Sequence, residues 1–323
     1  MTILIATSVV RGSRQGESHG GVYLVDLAKQ RVRQPIDWNT ADIDWQGRGW
    51  DRGLRGIAFD LDESPGRVFI AASDELFVYN AQLEPVASYR CPYLKHCHEI
   101  SRHRRRLYLT STGFDAILGF DLDANRFSWG LHVARDRKGL RAAPFQPESR
   151  KGPPPGNRLH LNSVCCRSEA MYVSGLHTNG LHAYTGRYIK PVATLPRGVH
   201  NAQPHRGGVL FNDTERNLVR FVPHDGPQKA FRVPTYNPAK LTHTELGDRR
   251  VARQAFARGL CVINDSLVAA GSSPSTITLH DLDAMQTKLT INLSMDIRNA
   301  IHGLEVWPFE EPSAGEREGA PLA

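Results

Sequence analysis

A strand pattern that recurs at intervals of roughly 40 residues constrains the fold of this chain more than any other feature. A short apolar strand followed by a small-residue cluster occurs six times, in Ile3–Ser8, Arg67–Ser73, Leu107–Thr112, Met171–Gly175, Val209–Asp213 and Leu267–Ser272. Each copy precedes a strand of alternating polar and apolar residues, as in Gly21–Asp26. Repeats of this length and content are typical of four-stranded β-propeller blades.

At each end of the chain, one strand lacks the partner strand that the repeat requires. Every copy except the one at the N-terminus follows another short strand, which we call the first strand of its blade; the copy itself is the second strand. The first strand nearest the C-terminus, His302–Trp307, has no second strand after it. A ring in which the C-terminal strand completes the N-terminal blade accounts for both and leaves no open sheet edge. The sequence therefore predicts an all-β, six-bladed β-propeller over residues 1–309, with a disordered tail over 310–323.

Composition excludes several other classes. The apolar N-terminus is short and lacks a basic leader, so it predicts a strand rather than a signal peptide. No apolar stretch has the length of a membrane span. The five cysteines are an odd number and form no CxxC pair, which predicts reduced thiols and a cytoplasmic location.

The chain is basic, with a net charge of +7 and a pI of about 9.3. Its basic residues are scattered, apart from Arg102–Arg106 and the stretch 135–151. This distribution favours a solvated basic surface or an interior that binds anions over a nucleic-acid interface.

Three longer segments interrupt the repeat before first strands and are predicted to form loops at one mouth of the central channel. Residues 38–53 carry Trp38, Trp45 and Trp50, of which Trp50 is assigned to substrate binding. Residues 132–158 are basic and proline-rich. Residues 236–255 are polar and are predicted to include a short helix.

The first strand of each blade lines the channel of a propeller, so equivalent positions in the repeats converge on the axis. Alignment by the second strands gives one such position, which reads Arg55, His98, Asn162, His200, Arg258 and His302. His96 and His160 lie two residues before His98 and Asn162, and residues two apart on a strand face the same way.

Histidines contributed by several strands are typical ligands of Fe, Zn, Cu or Ni ions. We predict a transition-metal site on His98, His200 and His302, with His160 or His96 as a further ligand. Glu99, Asn201 and Glu305 are close enough in sequence to orient these ligands.

Two arginines share the aligned position, and guanidinium groups bind carboxylate, sulfate or phosphate. Arg55 and Arg258 are therefore predicted to bind a small anionic substrate and, with Glu99, to act in catalysis. Asn162, Asn201 and Trp50 are predicted to contact the substrate. The leading hypothesis is a metalloenzyme acting on a small anion, while protein partners are left open.

Two alternatives stand beside it. Polar residues in a propeller channel can simply bind water, which corresponds to a non-catalytic propeller that binds a small molecule or a protein. The second is a metal-free transferase or lyase, in which one channel histidine acts as base or nucleophile and the arginines hold the anion. His177, in a turn after a second strand, is predicted to lie at the surface.

Three segments of the second half carry a family resemblance: Arg158–Val164, Leu195–Asn201 and Phe256–Leu260. They resemble uncharacterised bacterial propellers of the DUF4915 type and, more distantly, the gluconolactonase, strictosidine-synthase and NHL group. The resemblance implies six blades. Gluconolactonases bind their metal through acidic and asparagine ligands, and Asn162 is the one shared type at the aligned positions. The histidine ring is instead similar to the four-histidine iron site of carotenoid oxygenases, and six-bladed arylsulfate sulfotransferases resemble the metal-free alternative.

Overall fold

The computed structural model describes residues 2–14, 16–39, 53–246 and 252–310. The predictions for Trp45, Trp50 and the tail beyond Glu310 fall outside these residues. Within them the chain is all-β, and its helical content is confined to short 3-10 turns such as Pro147–Ser149 and Pro238–Lys240. The predicted fold class is confirmed.

Six antiparallel sheets form the six blades. The first twelve strands are β1 Ile3–Val10, β2 Gly21–Asp26, β3 Arg31–Asp37, β4 Ile57–Asp60, β5 Arg67–Ala71, β6 Glu75–Tyr79, β7 Pro85–Arg90, β8 Ile100–His103, β9 Arg106–Ser111, β10 Ala116–Asp121, β11 Arg126–Asp136 and β12 Gly139–Phe145. The remaining strands are β13 Leu161–Cys166, β14 Met171–Gly175, β15 Gly180–Tyr184, β16 Ile189–Thr194, β17 Val199–His205, β18 Gly208–Asp213, β19 Leu218–Pro223, β20 Lys229–Arg232, β21 Leu260–Val262, β22 Leu267–Ser272, β23 Thr276–Asp281, β24 Gln286–Asn292 and β25 Asn299–Val306.

The ring closes through the two ends of the chain, as the sequence predicts. Blade 1 has the strand order β25-β1-β2-β3, and the next blades follow as β4–β7, β8–β12, β13–β16, β17–β20 and β21–β24. In blade 1, Leu4 pairs with Val306 and Ile5 with Glu305. The C-terminal strand is thereby the innermost strand of the blade that the N-terminus begins.

Blade 3 differs from the prediction. The segment 132–158 does not begin as a proline-rich loop, because β11 and β12 form a hairpin that adds a fifth strand to the blade. Leu131 and Val133 are fully buried, so alternate residues of β11 have a core to pack against. Gly139, with a φ of +124°, follows the turn of the hairpin in a conformation that favours glycine.

The core lies between neighbouring blades. Phe69 of blade 2 and Phe120 of blade 3 are both fully buried, and their ring centroids are 6.2 Å apart. Leu4 and Ala6 of blade 1 pack in the same cluster as Ala269 of blade 6, which seals the ring. Among the residues described, no helix combines the length and apolarity needed to cross a membrane.

Candidate functional site

The aligned histidines meet around the axis: His98 and His160 just precede β8 and β13, while His200 and His302 lie within β17 and β25. The ring centroid of His98 lies 5.4 Å from that of His160, 5.7 Å from that of His302 and 6.2 Å from that of His200. His98, His200 and His302 are buried, while His160 is partly exposed. Four sequence-distant segments therefore place their imidazoles in one cluster.

Hydrogen bonds define the proton position on His98. Its Nδ1 lies 2.7 Å from the carbonyl oxygen of His96 and 3.0 Å from Oγ1 of Thr112. A carbonyl oxygen can only accept, and the Thr112 hydroxyl donates to the carbonyl of Leu161. Nδ1 must then carry the proton, which leaves the lone pair on Nε2.

His200 has the same arrangement in a different blade. Its Nδ1 lies 2.8 Å from Oγ1 of Thr214, and that hydroxyl donates to the carbonyl of Ala257 at 3.1 Å. The threonine can then only accept from Nδ1–H, so Nε2 of His200 carries the lone pair. This Nε2 is buried and has no hydrogen-bond partner among the described residues.

His302 completes the set through an arginine. Nη1 of Arg258 lies 2.7 Å from Nε2 of His302. A guanidinium only donates, so Nε2 of His302 is the acceptor and the ring is neutral. His98, His200 and His302 thus share one tautomer, with the lone pair on Nε2.

The environment keeps these rings neutral. Burial, together with the positive charges of Arg258 and Arg55, lowers the pKa of His98 and His302 well below the usual value of 6.5. Burial followed by the charge of Arg258 does the same for His200. Burial also lowers the pKa of His160, to about 3.

Two arginines that the sequence analysis did not single out join the predicted pair. Arg11, Arg253 and Arg258 stand over one ring, that of Phe256, with guanidinium carbons 4.4, 4.8 and 4.6 Å from its centroid. Phe256 is also 5.9 Å from the ring of His200. We call Arg11, Arg55, Arg253 and Arg258 with the four clustered histidines the arginine–histidine cluster.

These guanidiniums repel one another. Burial, then the charges of Arg55 and Arg253, lowers the pKa of Arg11 to about 9. Burial, then the charges of Arg11, Arg55 and Arg253, lowers that of Arg258 well below 12.5. Guanidinium groups stay protonated at neutral pH, so the cluster concentrates positive charge that an anion would stabilise.

The backbone at two of the histidines is unusual. His96 and His160 have φ angles of +55° and +52°, in the left-handed region that few non-glycine residues occupy. Both lie two residues before an aligned position, in different blades. Backbone of this kind is held in place by its surroundings and is enriched at functional sites.

Beneath the histidines lies a second set of polar groups, which we call the carboxyl tier: Glu99, Glu305 and Asn201. Glu99 accepts from the Asn201 amide at 3.1 Å and from the backbone N–H of Val164 at 2.9 Å. Burial raises the pKa of Glu99 to about 7; burial and the charge of Glu99 raise that of Glu305 to about 8. A cavity of about 10 Å³ touches both tiers and is lined by Glu99, Glu305, His98, His302 and Asn201 among others.

The structure places the other predicted site residues as follows. The amide of Asn162 donates to the carbonyl of Val199 at 2.9 Å, and its oxygen accepts from Ser163, so its polar atoms join neighbouring blades. Asn201 is likewise occupied by Glu99, Asn212 and Gly259. Their predicted contact with a substrate stays a prediction.

Clustered imidazoles are potential ligands of a metal ion. Within the part of the chain that the structure describes, no group of three His, Cys, Asp or Glu side chains has the arrangement of metal ligands. Nε2 of His302 is engaged by Arg258, and the guanidinium charges oppose a cation at the same place. The predicted ligands His98, His160, His200 and His302 are assembled in one cluster, and a metal ion bound by them stays a prediction.

Arg11, Arg253, Phe256, Thr112 and Thr214 escaped the sequence analysis. The signal available was position: Arg11, Thr112 and Thr214 directly follow β1, β9 and β18, so an alignment of these turns would have placed them together. Arg253 lies in a polar loop and is anchored by Asn217 Oδ1 at 2.6 Å, which no repeat pattern encodes.

No family model and no curated protein sequence matches the chain, so the resemblance to DUF4915-type proteins stays a prediction. Among solved structures, a catalytically inactive virginiamycin B lyase from Staphylococcus aureus with quinupristin is 12% identical, with a TM-score of 0.46 over 76% of this chain and 72% of the lyase. AztD from Citrobacter koseri is 9% identical, with a TM-score of 0.46 over 91% and 82%.

The WD40 repeats of RRP9 are 13% identical, with a TM-score of 0.49 over 76% of this chain and 65% of that one. The three proteins differ in kind. At these identities the likeness concerns the fold alone, and no functional statement about this chain rests on it.

Proposed function

We propose that the channel binds a small molecule with at least two negative charges and that a neutral histidine removes a proton from it. The observation that carries the proposal is the juxtaposition of four guanidiniums with His200, whose Nε2 lone pair has no partner among the described residues. This corresponds to the metal-free alternative of the sequence analysis, a lyase or transferase with arginine anion clamps.

The charge of the ligand follows from the charges around it. The positive charges of Arg11, Arg55 and Arg253 all repel that of Arg258. One monovalent anion leaves most of this repulsion in place, whereas a dicarboxylate or a phosphate or sulfate ester relieves more of it. Phe256 gathers three of the guanidiniums around its ring, with their central carbons 4.4, 4.8 and 4.6 Å from the ring centroid, so that they lie close enough to share one ligand.

His200 is the base that we assign. Its Nε2 is buried, carries the lone pair and has no partner among the described residues, and its ring adjoins Phe256. In the free protein its low pKa makes it a weak base. A bound anion offsets the charge of Arg258 and raises that pKa, so the substrate itself activates the base.

In this step the proton of a substrate O–H or C–H bond moves to Nε2 of His200, and the bonding electron pair stays on the substrate. Arg258 and Arg11 then stabilise the added negative charge. Thr214 keeps the proton of the neutral ring on Nδ1 beforehand and stabilises the imidazolium afterwards, because its oxygen accepts from Nδ1–H in both states.

Binding is tested by calorimetric titration with inorganic sulfate, phosphate and oxalate at low salt. We expect saturable binding that weakens at least tenfold in Arg258→Gln and is unchanged in Arg187→Gln, a matched change at an exposed arginine. Equal affinities for wild type and Arg258→Gln contradict the proposal.

Catalysis is tested by incubating the protein in D₂O with a panel of carboxylates and phosphate esters and following exchange of substrate protons by NMR. We expect exchange for at least one compound, slowed on the order of 100-fold in His200→Gln. Exchange that survives this substitution contradicts the assignment of the base. Binding without exchange across the panel supports the non-catalytic binding propeller.

A transition-metal site is the second candidate, because Nε2 of His160 and His200 is buried without a partner among the described residues. It requires Arg258 to leave His302. Metal analysis of protein purified without a histidine tag decides between the two. We expect less than about a tenth of an equivalent; close to one equivalent of a bound metal that His98→Ala removes replaces the first candidate.

A further inference from the structure

A cleft of about 430 Å³ lies between blades 3 and 4, outside the central channel. Its wall includes Tyr108, Trp129 and Tyr184, whose rings contact one another: centroids are 5.7 Å apart for Tyr108 and Trp129, and 6.4 Å apart for Trp129 and Tyr184. Met171 and Cys166 extend the apolar surface. Its size is in the range of small-molecule sites.

The cleft is distant from the arginine–histidine cluster. It contains Cys166 and Arg167, at the end of β13, whereas His160 directly precedes the start of that strand. An extended strand rises roughly 3.3 Å per residue, so the six-residue strand separates the two sites by about 17 Å. A ligand in the cleft does not touch the residues assigned to the proposed function.

Two arginines, Arg106 and Arg167, line the cleft together with His103 and one acid, Glu169. Glu169 is engaged by the hydroxyls of Tyr172 at 2.9 Å and Ser168 at 3.0 Å. Arg106 forms a long ion pair with Asp121, at 3.6 Å, and its buried Nε has no partner among the described residues. Arg167 donates to the carbonyl of Pro204 at 3.4 Å.

We propose that this cleft is a second binding site, for a flat aromatic molecule that carries one negatively charged group. The ring packs on Trp129 and Tyr108, and the anionic group lies against Arg106 and Arg167. Aromatic walls supply area and fix the plane of the ligand, and a guanidinium with an unused N–H supplies a charge-assisted hydrogen bond. The cleft fits a single fused ring system better than a peptide because the three aromatic side chains cluster in one place.

The probes are indole-3-acetate and its uncharged amide, indole-3-acetamide, titrated against the full chain and followed by saturation-transfer NMR and calorimetry. We expect saturable binding of the acetate and at least tenfold weaker binding of the amide. Arg106→Gln and Arg167→Gln should each weaken the acetate at least fivefold. Arg141→Gln, an exposed arginine on β12 of the same blade, is the matched control and should bind as wild type.

Three results overturn the proposal: no saturable binding of either probe up to about 5 mM, equal affinities for acetate and amide, or wild-type affinity in both Arg106→Gln and Arg167→Gln. Thermal denaturation of each variant checks that it is folded. Arg167→Gln loses a long hydrogen bond to the carbonyl of Pro204, so it still tests the proposal if Arg106→Gln does not fold. If Arg258→Gln abolishes acetate binding, the probe binds in the channel and the proposal fails, whatever the outcome for the proposed function.

Discussion

The arginine–histidine cluster and the carboxyl tier adjoin the same small cavity yet have opposite electrostatic character. In the first, burial and guanidinium charge hold the histidines neutral and leave the arginines repelling one another. In the second, burial raises the pKa of Glu99 to about 7, and burial with the charge of Glu99 raises that of Glu305 to about 8. The channel therefore gathers its guanidinium groups at one level and its carboxyl groups at the next. Under the proposed function, the concentrated positive charge at one level binds the anion, whereas the carboxyls at the next level, whose pKa values are raised, do not.

The largest expected effect is the stabilisation of the folded protein by a bound anion, which should require the arginine–histidine cluster and not the carboxyl tier. A single-site ligand at a hundred times its dissociation constant stabilises the folded state by about 2.7 kcal/mol, which raises the melting temperature by about 5 °C. We expect sulfate at that level to stabilise wild type and Glu305→Gln alike, and to stabilise Arg258→Gln by no more than about half as much. Thermal denaturation at low ionic strength, with sodium chloride as a control for salt, measures it. A loss of the shift in Glu305→Gln would mean that the tiers do not act separately.

Stability should depend on pH with opposite sign in the two tiers. The histidine pKa values are lowered from 6.5, so their contribution is present above pH 6.5 and is lost as the pH falls from there. The pKa of Glu305 is raised from 4.5 to about 8, so its contribution is present below pH 4.5 and is lost as the pH rises through 8. Wild type should therefore be most stable between pH 4.5 and pH 6.5.

Glu305→Gln should remove the loss of stability at alkaline pH and keep the loss at acidic pH. Part of Glu305 faces the channel, which screens its charge, so we expect a gain on the order of 1–2 kcal/mol at pH 9 and little change at pH 5. Melting temperatures from pH 4 to 9 test this, with Glu245→Gln, at an exposed site, as control. An identical profile in wild type and Glu305→Gln argues against a buried, protonated carboxyl.

A smaller effect is the coupling of anion binding to proton uptake. Because a bound anion raises the histidine pKa values, binding should take up protons, and affinity should rise about three- to tenfold from pH 8 to pH 6. Sulfate suits the measurement since its own charge is constant over this range. Calorimetry in buffers of different ionisation enthalpy gives the proton count. Release of protons, or uptake that persists in His200→Gln at the wild-type level, contradicts the assignment.

The smallest effect concerns the threonine that orients the base. Thr214→Val removes the acceptor of His200 Nδ1–H, and we expect the ring to lose its preference for one tautomer, with proton exchange on the substrate slowed about three- to tenfold. Nitrogen chemical shifts of the imidazole report the tautomer directly, and Thr214→Ser should restore it. An unchanged tautomer in Thr214→Val shows that the rest of the cluster fixes the ring.

The sequence was sufficient for the ring and for the register of its inner strands. Alternation along strands and a repeat of nearly constant length are local signals, and the unmatched strands at the two ends left closure as the simple explanation. The register then named His98, His200, His302, Arg55 and Arg258 at one level, and the structure brings these residues together. It misjudged the segment 132–158, because a hairpin with an exposed outer strand lacks the regular pattern of a blade.

Only the tertiary structure decided what this collection of residues can do. Which imidazole nitrogen carries the proton depends on Thr112 and Thr214, whose hydroxyls are committed by carbonyls of the neighbouring blade. The excess of positive charge depends on Arg11 and Arg253, which come from segments outside the aligned strands. Sequence determines which side chains a repeat directs toward the axis, because that depends on local periodicity. Charge balance and tautomer depend on contacts between blades, since hydrogen bonds and Coulomb forces act through space.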